Sequence, residues 1–137
     1  MSVLAWVFAL IAAVTCAVTA ARTADAYGSL PSQVPIHFGL RGAPDSYGPR
    51  PMIFTVVAVQ LLMTGLSVAA SMLMPARAAL FQGFMADVVV IGLAWLQNGV
   101  VSVAQGRTQR IAHVWRFIVL IVAGSVVAAV GFHHFPA

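Results

Sequence analysis

The sequence predicts an all-α integral membrane protein of four transmembrane helices, and three observations carry that expectation. Charged residues make up 7% of the 137-residue chain, hydrophobic residues 61%, and the mean hydropathy is +0.98. A soluble domain carries roughly 25% charged residues, so a chain this poor in them fits lipid as its solvent. Four apolar runs also have the length a bilayer demands, about 20 residues at 1.5 Å rise for a core about 30 Å thick. Finally, the first two runs are separated by a Pro/Gly-rich segment, residues 23–51, which holds five of the seven Pro and four of the eleven Gly. A single membrane domain over 1–137 accommodates all of this.

The first run, 1–21, carries no ionisable side chain. It reads as a retained helix rather than a cleaved signal. Ala24-Asp25-Ala26 fits an A-x-A cleavage site, but no Lys or Arg precedes the apolar stretch. The second run is 52–74, and the third, 78–103, is interrupted only by Asp87. The fourth, 114–132, places Arg116 where it can snorkel outward. Gly65 with Ala69 and Gly124 with Ala128 form small-xxx-small pairs, and Gly83, Gly92 and Gly99 punctuate the third run. Small residues let helices approach closely where no hydrophobic effect drives them together, within a bundle or between copies. Arg22, Arg41, Arg50, Arg107, Arg110 and Arg116 flank or occupy the first and third connections, against Arg77 alone on the other side. The positive-inside rule therefore puts those connections in the cytoplasm and both termini outside.

Within the runs, Asp87 is the costly residue, at about 2.5–3.5 kcal/mol at a helix centre. Asn98 lies eleven residues on, on the same helical side about 16 Å away, and Gln60 is a candidate partner at similar depth. These three make either a proton or cation relay or a hydrogen-bonded packing contact. Cys16 is the single cysteine, which excludes an internal disulfide. His113, His133 and His134 lack the spacing of a metal site, and neither metal nor cofactor is expected. The +4 charge is spread over three loops rather than gathered in a stripe, which speaks against nucleic acid. No G-x-S-x-G, Walker or H-E-x-x-H pattern occurs, so no catalytic residue and no enzyme activity are expected.

The first loop is the informative segment. Val34, Ile36, Phe38 and Leu40 alternate with polar or small residues, which predicts an extended stretch with those four on one side and His37 and Arg41 on the other. Pro31 and Pro35 push the residues before them away from helix. Ala43-Pro44-Asp45-Ser46 suits a type I turn. His37 and Asp45 then serve either as a ligand, proton-switch or partner site, or as backbone-bonded groups that hold the loop.

Leu30-Pro31-Ser32-Gln33-Val34-Pro35-Ile36-His37-Phe38, then Gly42, then Asp45 and Gly48, resembles the loop of the domain of unknown function 1648. That module recurs in small bacterial membrane proteins, including the N-terminal part of SdpI-type immunity proteins. The family pattern runs L-P-x-x-[IV]-P-x-H-[FW]-x-x-x-G-x-x-D-x-x-G between two membrane helices. This sequence departs from it at Gly48-Pro49-Arg50-Pro51, where a small residue and Lys are usual. The resemblance implies a non-enzymatic protein of the bacterial cytoplasmic (inner) membrane, multi-pass, that protects against or senses a secreted toxin. Its partners would be the bilayer and other membrane chains: a toxin, a signalling partner or a host complex. Two other readings stand beside it, an accessory subunit of a larger membrane complex and a small ion or proton transporter using Asp87.

Overall fold

The computed structural model describes residues 3–112 and 114–134; for 128–129 and 131–134 the backbone alone is described. The order is α1 (Val3–Tyr27), β1 (Gln33–Phe38), β2 (Pro44–Pro49), a 3₁₀ turn (Arg50–Phe54), α2 (Thr55–Leu73), α3 (Ala76–Ala104) and α4 (Val114–His134). The chain is mostly helical, at 74%, rather than all-α, because the first loop folds into an antiparallel two-stranded sheet. Among the described residues, three segments are long and apolar enough to cross a membrane: Val3–Tyr27, Arg50–Leu73 and Ala76–Ala104. In the fourth helix the apolar stretch among the described residues is shorter, Val114–Val127.

Each boundary has a local cause. α1 runs past residue 21 to Tyr27, because nothing before Gly28 breaks it and the charges of Arg22 and Asp25 stay exposed near its end. Pro31 then blocks further helix. Pro51 sits in the first turn of the 3₁₀ segment, where its missing N–H costs nothing. α2 and α3 are joined across Met74 and Pro75. α3 ends in a Schellman motif: Gly106, at φ 70°, donates to the Val103 carbonyl, and Arg107 donates back to that of Ser102.

The element at the centre is α3, which packs on α1, α2 and α4. α1 turns Ala5, Ala9, Ala12, Cys16, Thr19 and Thr23 into the bundle, all buried at alternating spacings of four and three. That seven-residue repeat of small side chains is the geometry of close left-handed packing. Gly83 admits Phe8, Gly92 admits the Phe117 ring, Gly99 admits Ile111, and Gly124 lies against Val88. Gly65 touches nothing within 4 Å and lies on the outer side of α2, so it takes no part in packing within this chain. Ala69 is half-buried, and the side chain of Ala128 lies outside the described residues, as does His113. The outward surface is apolar: Leu4, Leu10, Leu61, Leu62, Val119 and Val127 are all exposed.

The largest apolar cluster sits at one end of the bundle, beneath the sheet: Leu30, Val34, Ile53, Val100, Val101, Ala104 and Ile111.

Candidate functional site

The β-hairpin is held by its bulges and by one glycine. Register runs Gln33↔Pro49, Val34↔Gly48, Pro35↔Tyr47, His37↔Ser46 and Phe38↔Pro44. Ile36 on β1 and Asp45 on β2 are therefore left without opposite partners, one bulge on each strand. A bulge re-aims side chains and breaks the period of two. This is why the predicted apolar side of the strand does not form. Val34 and Pro35 are both buried, Phe38 half-buries against the cluster below, and Ile36 and Leu40 are exposed.

The turn also falls earlier than the sequence places it. Gly42 donates to the Gly39 carbonyl at 2.8 Å, so the chain reverses over Gly39–Gly42, and Pro44 and Asp45 lie in β2. Gly42 has φ 75°, a region that favours glycine. Its carbonyl accepts from the Ile111 N–H at 2.8 Å, and a β-carbon there would lie 2.0 Å from the Ile111 oxygen. Turn and α3–α4 connection thus meet backbone to backbone. Gly48 is closed by Met52 and Ile36, at 2.8 and 3.1 Å from a built β-carbon. At the strand's return, Arg50 lies 5.4 Å over the Tyr27 ring, which itself stacks on Phe54.

On the outward side of this platform stand His37 and Asp45. The His37 Nδ1 lies 2.5 Å from Asp45 Oδ1, with both side chains more than half exposed. Exposed Tyr47 and Leu40 complete that surface. Loop-motif residues therefore divide by role. Pro35, Phe38, Gly42 and Gly48 shape or seat the hairpin and Pro31 ends α1, while His37 and Asp45 face solvent and each other. Among the described residues no group of three or more metal-ligating side chains occurs.

The intramembrane polar residues named from sequence are not brought together. Gln60 does not meet Asp87; its amide donates to the Val90 carbonyl at 2.9 Å and to Thr19 Oγ1 at 3.5 Å. Asp87 is buried, with Oδ1 lacking any hydrogen-bond partner among the described residues, and it borders a cavity between α1, α3 and α4. Asn98 is exposed. Its neighbour Gln97 is the buried one, donating to the Ile53 carbonyl at 2.8 Å and to Thr23 Oγ1 at 3.2 Å. Gln97, Thr19 and Thr23 escape a reading based on charge. The seven-residue repeat of small residues on α1, which carries both threonines, is the signal that points to them.

No curated protein matches this chain, and no solved structure does. Residues 1–61 match the family described as Domain of unknown function (DUF1648). The match covers α1, the hairpin, the 3₁₀ turn and the first turns of α2. Residues 1–61, just under half of the 137-residue chain, are therefore similar to the domain of unknown function 1648 family, with the motif residues in the hairpin.

Proposed function

We propose that this chain is a multi-pass protein of the bacterial cytoplasmic membrane that recognises a secreted peptide toxin or signal with its hairpin, in the manner of SdpI-type immunity proteins. The observation that carries the reading is the division of labour in the hairpin. Its apolar and glycine positions are consumed in seating it on the bundle. His37 and Asp45, which the seating does not need, are paired on the exposed side. An exposed polar pair contributes little to stability, so its place in a motif is better explained by what it presents than by what it holds.

The test is survival of a sensitive bacterium expressing the chain and challenged with secreted membrane-active peptides. His37→Ala or Asp45→Ala should abolish protection while the protein remains in the membrane at wild-type level. Protection that survives both changes would sink the immunity reading.

One observation favours a second reading. Asp87 is buried, borders a cavity and keeps one oxygen without a partner among the described residues, as a proton- or ion-carrying acid would. On that reading Asp87→Asn silences proton flux into vesicles without loss of expression, whereas it leaves toxin protection intact.

A further inference from the structure

One side of α3 lines a groove that is walled by α1 at both ends and by α4 and the α3–α4 connection between them. It carries Phe84, Ile91, Asn98 and Gln105 at one seven-residue repeat, and Val88, Trp95 and Ser102 at another. Four cavities lie along it in series. Ile91 and Leu120 line both the first and the second. Trp95 and Ala112 join the second to the third, and Asn98 and Ser102 join the third to the last. The groove changes character along its length. The far cavity, about 480 Å³, is walled almost wholly by apolar side chains. The cavity at the hairpin end, about 530 Å³, is polar: Arg22 and Asp25 come from α1, Asn98 and Gln105 from α3, and Arg107 from beyond the Schellman turn.

The charges in that polar end are unspent. Neither Arg22 nor Arg107 makes a side-chain hydrogen bond or ion pair among the described residues, and neither does Asp25. The Asn98 carboxamide is likewise without a partner, while Gln105 gives its amide to Ser29 at 2.8 Å. Two guanidinium groups from different elements suit a phosphate diester. The single carboxylate beside them suits a cation attached to that phosphate.

We propose that this groove holds one phosphoethanolamine lipid. Its phosphate lies between Arg22 and Arg107 and its ammonium group against Asp25. Its glycerol esters come within reach of the Asn98 amide. An acyl chain runs past Trp95 to Ile91 and on into the apolar far cavity. This rests on the membrane reading above. It assigns Arg22 and Arg107 a ligand, where the sequence accounts for them as topology signals alone.

The test uses the full chain reconstituted in vesicles of equal phosphatidylethanolamine and phosphatidylglycerol, re-extracted in mild detergent, with the retained lipid quantified by mass spectrometry. Wild type should retain phosphatidylethanolamine about tenfold over phosphatidylglycerol. Asp25→Asn should keep the retained phospholipid but erase that preference, and Arg22→Gln with Arg107→Gln should lose the retained lipid. Inorganic phosphate at millimolar concentration should displace nothing; displacement would mark a site for soluble phosphate and overturn the proposal. Retention at the composition of the vesicle, or preference for phosphatidylglycerol, would overturn it too, and the wild-type result alone decides this should a variant misfold. A chain that alkaline washing strips from the vesicles refutes the membrane reading. A chain that stays but shows no enrichment refutes the lipid site only.

Discussion

Gly42 concentrates two constraints in one residue. Its φ of 75° is costly for other residues, about 1–3 kcal/mol, and a side chain would run into the Ile111 carbonyl. Gly42→Ala should therefore lift the hairpin off the α3–α4 connection and lower stability by at least that amount. The check is thermal unfolding in detergent together with limited proteolysis, which should cut the variant between residues 39 and 45 and spare the wild type. His37→Ala is the contrasting change. With both partners more than half exposed, it should shift the unfolding temperature very little, so that any loss of function it causes reads as recognition. A regular ladder continuing the register of Gln33 with Pro49 would set His37 directly opposite Asp45; the bulges shift His37 to Ser46, and the two side chains still meet as diagonal neighbours.

The helices are joined by small side chains and two glutamines. Gln60 ties α2 to the α3 backbone and to Thr19 of α1; Gln97 ties α3 to Ile53 and to Thr23 of α1, about 10 Å further along. Interhelical hydrogen bonds of this kind average about 0.6 kcal/mol each, so Gln97→Leu, which loses two, should cost roughly 1 kcal/mol. Gln60→Leu should cost a similar amount, and the double change should be additive within a few tenths, as expected of separated sites. Gly83 answers to a harder constraint. A methyl there would stand 2.9 Å from the Phe8 β-carbon, which is anchored to its backbone and cannot swing aside. Gly83→Ala should cost about 1–3 kcal/mol by overpacking, more than either glutamine change. Chemical unfolding of the three variants in one detergent ranks them.

For the whole molecule, the backbone bond between Gly42 and Ile111 puts the hairpin and the α3–α4 connection at the same end, opposite Met74 and Pro75. In a Cys16→Ser background, single cysteines at Leu40 and Thr108 should react with an impermeant maleimide from one side of the membrane, and one at Met74 from the other. The arginine distribution predicts the cytoplasmic side for the first pair, whereas recognition of a secreted peptide by the hairpin requires the outer side, and the same labelling decides between them. Leu40 and Thr108 labelling from opposite sides would be incompatible with this architecture.

Composition and run length alone determined the apolar helices, because burial in lipid needs a stretch of about 20 apolar residues and few charges, both of which are local properties. The hairpin motif was legible too, since Pro, Gly and Asp at fixed offsets carry their conformational preferences with them. What only the tertiary structure decided are the pairings. Alternation could not foresee two bulges, so the expected strand face and turn were displaced. The charge of Asp87 drew attention to Asn98 on its helical side, while the residues that each bond three elements together are Gln60 and Gln97, the latter beside Asn98 on the neighbouring face. A hydrogen bond between helices depends on rotation about both axes and on depth, and neither is written in any one helix. The same holds for Arg22 and Arg107, eighty-five positions apart in the chain, which line one cleft because α1 and α3 run side by side and a glycine turns the end of α3 back.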